Sequence, residues 1–265
     1  MSTAAPRLGI LPFRSLLSAV LVTTIVLGGW WLIIWGLQLD PLSAKTPADV
    51  FRYIFLHPQA ALHRVALGNA LAKTLSDALV GYAAGMLLGA AMAAGTSLSR
   101  TLERAVLPIA MVLRTVPLVA LTPIITLIFG HGLVAVTAVS AIVVFFPTYV
   151  NVLLGLRSVP QHLRDLIEAY GGDRQQAFIK VQIPSAIPAF MASARIAVPT
   201  ALIGVIVAEW LVSGGGVGQY MIESQHSLDY GALWSAAVGL TVASAQLYAF
   251  VGWIEQLVLK RIADR

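Results

Sequence analysis

The feature that most constrains the fold of this chain is a 42-residue run, residues 115–156, that contains no Asp, Glu, Lys or Arg. As one straight helix this run would be roughly 60 Å long, about twice the 30 Å hydrocarbon thickness of a bilayer. It therefore predicts two membrane-crossing helices rather than one. Residues 130–132 (Gly-His-Gly) are the natural reversal, since glycine adopts turn conformations freely. We expect spans at about residues 109–129 and 133–154.

Four more charge-poor stretches of sufficient length lie outside this run. They predict spans at residues 15–39, 72–97, 186–212 and 230–254. Charged residues make up only 11% of the chain, whereas a soluble domain carries about 25%, so there is too little polar surface to cover a large soluble core. The predicted fold class is an all-α integral membrane protein with about six transmembrane helices. A signal peptide is the competing interpretation of the first stretch, but its apolar region would be shorter.

The remaining segments give weaker signals. Residues 40–71 are mixed, and a short amphipathic helix that begins at Pro47 is expected to lie at the membrane surface. Residues 213–229 open with a glycine-rich run and are expected to form a flexible or tightly turned loop. Three prolines make the third span irregular. Residues 81–89 repeat Gly-x-x-x-Gly, which favours close helix packing within the bundle, with a dimer contact as the secondary interpretation.

Lysine and arginine are distributed unequally between the two sides of a six-span arrangement. Eleven lie in segments on the side of the two termini, and four lie on the opposite side. Cytoplasmic segments carry the excess of positive charge in membrane proteins. Both termini and residues 157–183 are therefore predicted to be cytoplasmic.

The only long polar segment between apolar spans is residues 157–183, which we call the polar knuckle; it holds seven charged residues. Apolar residues at helical spacing predict a helix over residues 161–170. Gly171-Gly172 can end that helix, because glycine takes positive φ freely. Asp173 is a natural N-cap for a second short helix, which Pro184 is expected to end. A helix-turn-helix outside the bilayer is suited to contact a soluble partner.

The polar knuckle resembles the cytoplasmic coupling loop of the membrane subunits of binding-protein-dependent ABC importers. In that family Glu-Ala-Ala is followed by three residues, a glycine, nine more residues and then Ile-x-Leu-Pro. Counting back from Pro184, Gly171 falls on the family glycine, and residues 181–184 (Val-Gln-Ile-Pro) match the closing element. Residues 165–167 (Asp-Leu-Ile) stand where Glu-Ala-Ala is expected, so the acidic charge is kept and the small residues are not.

This resemblance implies an ATPase-coupling role for the centre of the polar knuckle. The residues assigned to this contact are Asp165, Glu168, Ala169, Tyr170, Gly171, Gly172, Asp173, Arg174, Gln175 and Gln176. It also implies a type I ABC importer-like fold, with the coupling helix between spans four and five. Residues 71–260 would then form the permease core, and residues 1–70 would add the N-terminal span and an outer amphipathic segment.

Four ionisable residues lie within spans or at their edges, where such groups are costly and often functional. These tentative translocation-pathway residues are Asp77, Arg114, Arg195 and Glu209. The two acids are expected in the outer half of the bilayer and the two arginines in the inner half. Mutual pairing for structural reasons, or snorkelling to an interface, is the alternative interpretation.

The surroundings of three of these residues resemble one branch of the importers. They are residues 114–117 (Arg-Thr-Val-Pro), 194–196 (Ala-Arg-Ile) and 208–211 (Ala-Glu-Trp-Leu). The branch is that of the nitrate, sulfonate, taurine and thiamine-precursor permeases. The resemblance implies transport of a small solute, either a nitrate-, sulfonate- or taurine-like anion or a thiamine-precursor-like heterocycle.

These features together predict a permease subunit rather than an enzyme. The sequence contains no Gly-x4-Gly-Lys-Ser/Thr loop, so a separate ATPase subunit is expected to bind ATP, and no cofactor is expected in this chain. The five histidines show no metal-ligand spacing, and the absence of cysteine excludes thiolate ligands.

The expected partners are an ABC ATPase subunit dimer, an extracytoplasmic substrate-binding protein, a second copy of this chain and the lipid bilayer. No nucleic-acid partner is expected, because the basic excess follows from the distribution of positive charge across the membrane. A stand-alone secondary transporter or channel is the alternative function, and it would need coupling-ion residues at mid-membrane and often internal repeats. A membrane-bound enzyme is the third interpretation.

Overall fold

The computed structural model describes residues 11–212 and 214–263, and for residues 11–19, 164, 168, 174 and 263 it describes the backbone alone. Within these ranges the regular structure is entirely helical. The helices are α1 (Leu11–Gly36), α2 (Pro47–Phe51), α3 (Ala60–Leu98), α4 (Arg100–Thr115), α5 (Leu118–Phe129), α6 (Leu133–Arg157), α7 (Gln161–Ala169), α8 (Arg174–Ala177), α9 (Ile183–Val212), α10 (Gly216–His226) and α11 (Tyr230–Ala263). Two π-helical turns follow α2 and α8, at Arg52–Leu56 and Phe178–Gln182.

Four helical segments are long and apolar enough to cross a membrane. They are Ala60–Leu98, Leu133–Arg157, Gln175–Val212 and Tyr230–Ile262. The pair α4 and α5 satisfies the same test as one broken unit, bent by 108°. Helix α1 lies at the predicted first span. The part of it whose side chains are described, Val20–Gly36, is apolar but shorter than the other four segments. The predicted all-α membrane fold with about six helices is confirmed.

The centre of the bundle is formed by α3, α6 and α9, which pack so closely that only small residues fit at several contacts. A Cβ atom added at Gly85 of α3 would lie 2.6 Å from the Cβ of Val144 in α6. A Cβ added at Gly204 of α9 would lie 2.7 Å from Cγ2 of Val143. The Gly-x-x-x-Gly repeat of residues 81–89 therefore serves packing within the chain, as the first interpretation held.

The third predicted span is not one helix. Helix α4 ends at Thr115, Val116 and Pro117 are extended, and α5 starts at Leu118. The reason is steric, because the proline ring disfavours a helical conformation at the residue before it, and Val116 accordingly has φ −74° and ψ 126°. The reversal at residues 130–132 is confirmed by positive φ values of 76° at Gly130 and 109° at Gly132.

Two other predictions about the connections are wrong. Pro184 does not end the short helix of the polar knuckle, because the chain stays helical from Arg174 through the π-helical turn to Val212. In that wider turn the N–H of Ile183 bonds to the carbonyl of Phe178, which lets the helix continue past the proline. Residues 213–229 are not all loop, since α10 occupies Gly216–His226.

Several helix bounds also differ from the predicted spans. Helix α3 begins at Ala60 rather than near residue 72, and α11 continues to Ala263 rather than ending near 254. The short helix at Pro47 is confirmed, with Thr46 and Asp49 forming a capping box at its start. The division of the chain at residue 70 stays a prediction; α3 is continuous across that position.

Candidate coupling surface and intramembrane charges

The first helix of the polar knuckle, α7, ends at the two glycines, as predicted. After α7 the N–H of Tyr170 bonds to the carbonyl of Leu166 at 3.1 Å, and the N–H of Gly172 bonds to the carbonyl of Ile167 at 2.8 Å. Gly171 between them has a φ of 77°, in the left-handed region that favours glycine. These bonds satisfy the last carbonyls of α7 and turn the chain sharply.

Asp173 caps the next helix, as predicted. Its Oδ1 accepts a hydrogen bond from the backbone N–H of Gln176 at 2.7 Å, at the start of α8. Two predicted contact residues of this region, Glu168 and Arg174, have side chains outside the described part of the structure. Backbone hydrogen bonds within the polar knuckle and the Asp173 carboxylate therefore fix its local conformation.

The described side chains at the tip of the polar knuckle are exposed, including apolar ones. Tyr170 is 86% exposed and Leu166 is 52% exposed. Leu163, one turn before Leu166 on α7, is 37% exposed, and a Cβ added at Gly171 would meet no atom within 4 Å. An apolar ridge on a polar segment outside the bundle is typical of a contact surface. Contact of this surface with an ATPase stays a prediction.

Leu163 and Leu166 were missed as contact candidates at the sequence level. Their spacing of three residues on an otherwise polar helix is the signal that could have identified them. Beside the knuckle, a cavity of about 1110 Å³ separates it from α4. Arg157 forms an ion pair with Glu103 of α4 at the wall of this cavity and so ties the base of the knuckle to the bundle.

At the opposite end of the bundle, which we call the glycine-loop end, Glu209 is almost completely buried, with 1% exposure. Its two carboxylate oxygens lie 2.8 and 2.9 Å from the Thr74 hydroxyl, which donates to them. The N–H of Gly218 donates to Oε2 at 2.8 Å, and the N–H of Val217 donates to the Thr74 hydroxyl at 2.7 Å. We call Glu209, Thr74 and residues 216–218 the Glu209 cluster.

The Glu209 cluster explains the glycines of this loop. A Cβ added at Gly216 would collide with the Glu209 carboxylate, and Gly216 also has a φ of 86°. A Cβ added at Gly218 would lie 2.6 Å from the Cβ of Glu209. The carboxylate thus sits against the N-terminus of α10, where free backbone N–H groups and the helix dipole favour negative charge. It joins α9, α3 and α10.

Asp77 and Arg195 also have partners within the chain. Asp77 is 4% exposed and forms an ion pair with Lys73 one turn earlier on α3, next to Thr74. Arg195 lies 3.5 Å from the Glu255 carboxylate of α11, and its guanidinium lies 4.5 Å from the centroid of the Tyr248 ring. These contacts agree with the structural-pairing interpretation, and a pathway role for either residue stays a prediction.

Arg114 differs from the other three. It is exposed at the end of α4, beside the break before α5, and its guanidinium lies 5.0 Å from the centroid of the Phe146 ring. Among the described residues it has no ion-pair or hydrogen-bond partner. It lines a cavity of about 430 Å³ between the α4–α5 break, α6 and α9. The structure therefore separates one free intramembrane charge from three that are paired or buried.

No group of three His, Cys, Asp or Glu side chains within the described ranges is arranged to hold a metal ion.

Comparison with known proteins identifies one family. Residues 85–264 match the model of the binding-protein-dependent transport system inner membrane component. A probable ABC transporter permease protein of Haemophilus influenzae is 30% identical over 239 residues, which cover 88% of this chain and 95% of that protein. A formylaminopyrimidine transport permease protein of Halalkalibacterium halodurans is 31% identical over 189 residues, covering 71% of this chain and 76% of that one.

A third relative is named for a different solute. A putative aliphatic sulfonates transport permease protein of Bacillus subtilis is 29% identical over 207 residues, covering 78% of this chain and 70% of that protein. Among solved structures, an inward-facing conformation of the MetNI methionine ABC transporter is similar with a TM-score of 0.56 at 21% identity. The alignment covers 78% of this chain and 98% of that one, which shows a shared fold.

Proposed function

This chain belongs to the family of binding-protein-dependent transport system inner membrane components, and on that premise we propose that it translocates a small solute in an ATP-driven importer. It is a permease subunit of an ABC importer, in a multi-pass membrane fold. The solute is delivered by a substrate-binding protein. ATP is bound and hydrolysed by separate ATPase subunits, and this chain carries no catalytic residue or cofactor.

The observation that carries the proposal is the exposed apolar ridge of the polar knuckle. Leu163, Leu166 and Tyr170 project from a segment whose backbone is locked by the Gly171 turn and the Asp173 cap. A preorganised surface binds at lower entropic cost than a flexible one. Residues 169–176 are thus suited to enter a groove on the ATPase, with Leu163 and Leu166 lying against the rim of that groove.

Coupling then follows from a two-state membrane dimer. Two copies of the chain enclose one path, and two ATPase subunits hold the two knuckles on the cytoplasmic side. Closure of the ATPases around ATP draws the knuckles together and favours the outward-open state, while the solute and the binding protein act on the opposite face. A ligand shifts such an equilibrium only by its difference in affinity for the two states.

The same arrangement gives the proposed location. Both termini are proposed to lie in the cytoplasm, because the unequal distribution of Lys and Arg favours that orientation. The chain is proposed to lie in a bacterial inner membrane, because its family is that of inner membrane components and the relatives named above are bacterial. Two of the relatives are named for the transport of a formylaminopyrimidine and of aliphatic sulfonates, so the proposed solute is a heterocycle of that kind or a small anion.

The experiment compares two glycines of similar φ at different places in the chain. Gly171 and Gly130 have φ values of 77° and 76°, and an added Cβ would meet no atom within 4 Å at either position. Valine at Gly171 costs roughly 1 to 2 kcal/mol of backbone strain or more. Gly130 is the more demanding site for valine, because its ψ of −169° lies in a region that is essentially restricted to glycine. We expect Gly171→Val to insert and dimerise but to lose its ATPase in co-purification, or to hydrolyse ATP without transport. Gly130→Val should keep coupled transport.

Two results would contradict the proposal. The first is a Gly171→Val permease that retains its ATPase and transports at the unsubstituted rate, since the knuckle would then be a mere connector. The second is solute transport by the purified chain in liposomes without any ATPase, which is the outcome that a secondary transporter or channel predicts.

A further inference from the structure

The cavity beside Arg114 has the composition of a binding site for a small charged ligand. Its volume of about 430 Å³ lies within the range of small-molecule sites. Its polar lining groups are the Arg114 guanidinium, the Asn151 amide and the Thr200 hydroxyl. The other described lining residues are apolar, including Leu121, Val143 and Phe146.

The cavity lies within the membrane part of the bundle. Phe146 and Pro147 are near the middle of α6, and Thr200 is near the middle of α9. Extended backbone at membrane depth, such as Val116-Pro117, is tolerated where it is buried in protein or lines a water-filled cavity. This break borders the cavity through Val116, so the irregular segment and the free charge occur at the same place.

The charge balance of the cavity favours an anion. Arg114 is the single charged residue among its described lining residues, and no carboxylate there neutralises it. The Arg114 guanidinium lies 5.0 Å from the centroid of the Phe146 ring, and a contact with the ring face leaves its N–H groups available. The Asn151 amide makes no hydrogen bond to another described residue, and the Thr200 hydroxyl donates to the Ile196 carbonyl at 2.9 Å. Asn151 therefore has N–H donors free for a ligand.

We propose that this cavity binds a small organic oxyanion, a sulfonate or carboxylate with an apolar body, as a substrate site within the translocation path. The planar guanidinium of Arg114 pairs with two oxygens of the headgroup, in the geometry that makes arginine selective for such groups. Asn151 donates a further hydrogen bond, and the apolar walls cover the hydrocarbon part. The proposal rests on the permease function given above and names the class of solute for it.

The apolar walls distinguish this ligand from two other small solutes. An inorganic anion such as nitrate would leave the walls around Leu121 and Val143 without contact. A neutral heterocycle would leave the Arg114 charge without a counter-ion, and unpaired charges are costly at membrane depth. An organic oxyanion satisfies both parts of the cavity.

The test measures equilibrium binding to the purified full chain in lipid nanodiscs, with three probes. They are sodium 1-pentanesulfonate, 1-pentanol and sodium nitrate, which separate the headgroup charge from the apolar body. We expect pentanesulfonate to bind at least tenfold more tightly than either other probe. Equal binding of pentanol would overturn the anion assignment, and equal binding of nitrate would overturn the assignment of an organic body.

Variants locate the site. Arg114→Gln should weaken pentanesulfonate binding at least tenfold, and Arg114→Lys, which keeps the charge but loses the planar fork, should weaken it several-fold. Asn151→Leu should reduce affinity without removing it. The matched control is Arg64→Gln, because Arg64 is exposed on α3 outside this cavity and bonds to the Ile54 carbonyl. Unchanged affinity in both Arg114 variants and in Asn151→Leu would overturn the proposal.

This result is independent of the coupling test. Binding to the isolated permease requires no ATPase, whereas the comparison of Gly171→Val with Gly130→Val requires the assembled complex. A chain that couples normally but binds no pentanesulfonate would refute the site and leave the permease function standing. A chain that binds pentanesulfonate but assembles with no ATPase would refute the proposed coupling and leave the site standing.

Discussion

The Glu209 cluster and the polar knuckle both contain a pair of glycines, a positive φ and an acidic side chain, yet they use these features differently. At the Glu209 cluster the missing Cβ of Gly216 leaves room for the chain's own carboxylate. At the polar knuckle an added Cβ on Gly171 would meet nothing within 4 Å. Gly216 thus permits a contact between helices, and Gly171 only turns the chain. Gly172 beside it permits a close approach within the knuckle itself, since its added Cβ would lie 2.5 Å from Cγ2 of Ile167.

This difference distinguishes a glycine motif that stabilises the subunit from one that forms an exposed contact surface. Around Glu209 the Thr74 hydroxyl and the N–H groups of Val217 and Gly218 have partners within the chain, so the motif stabilises the subunit itself. Around Gly171 the hydrogen bonds are those that end α7 and cap α8, and Tyr170 remains 86% exposed. Substitutions at the Glu209 cluster should therefore reduce stability, and substitutions at the polar knuckle should reduce coupling.

The largest effect on stability is expected for Glu209→Ala. The change removes a buried acceptor and leaves the Thr74 hydroxyl and the Gly218 N–H without it, which we expect to lower the free energy of unfolding by about 2 to 4 kcal/mol. Denaturant titration of the purified chain in detergent measures this. Glu223→Ala is the control, because Glu223 is exposed on α10 and should change stability by less than about 0.5 kcal/mol. Equal stability of the two variants would show that the Glu209 cluster does not stabilise the chain.

A smaller loss, of about 2 kcal/mol, is expected for Gly216→Ala. The added methyl group must displace the Glu209 carboxylate, and alanine must also adopt a φ of 86°. Gly214→Ala is the matched control in the same loop, because its added Cβ would meet nothing within 4 Å. The difference between the two unfolding free energies gives the combined cost of the collision with Glu209 and of the positive φ at Gly216, and no difference between them would contradict this role of Gly216.

The smallest stability change, about 1 kcal/mol, is expected for Asp173→Ala in the polar knuckle. The substitution removes the cap on the N–H of Gln176 and leaves the membrane helices intact. Asp173→Asn keeps a capping oxygen and should restore most of the loss. The rate of ATP-dependent transport should fall by more than this small loss of stability alone would cause, because the cap orients the contact surface. If transport were intact in a measurably destabilised Asp173→Ala chain, the knuckle orientation would have no part in coupling.

The sequence predicted those parts of the fold that depend on local pattern. The long charge-free run predicted the reversal at residues 130–132 and the helix that follows it. The turn at Gly171 and the cap at Asp173 were predicted because both are local structures. The prediction that Pro184 ends a helix was wrong for a local reason too. The π-helical turn before it supplies an alternative backbone hydrogen bond, which the general preference of proline for helix ends does not take into account.

Long-range pairings could not be predicted in this way. Thr74 and Glu209 are 135 residues apart, and nothing in either surrounding sequence specifies the other as its partner. The four ionisable residues in apolar spans therefore received the same prediction from the sequence. Only the packing of α3, α6, α9 and α11 shows which of them have partners within the chain; the four are Asp77, Arg114, Arg195 and Glu209. The exposure of Leu163 and Leu166 likewise depends on how α7 lies against the bundle.

The most direct test of the account is the accessibility of the polar knuckle, and the chain suits it because it contains no cysteine. Ala169→Cys places a thiol at an exposed knuckle position, and Leu42→Cys places one at a 71% exposed position in the segment between α1 and α2. A membrane-impermeant maleimide measures the labelling of each from either side of sealed vesicles.

The account predicts that the thiol at position 169 is labelled only from the cytoplasmic side and is protected when the ATPase subunit is bound. The thiol at position 42 should be labelled only from the outside, at a rate that the ATPase does not change. Labelling of position 169 from the outside, or cytoplasmic labelling at the same rate with and without the ATPase, would contradict the central claim that the polar knuckle is the coupling surface.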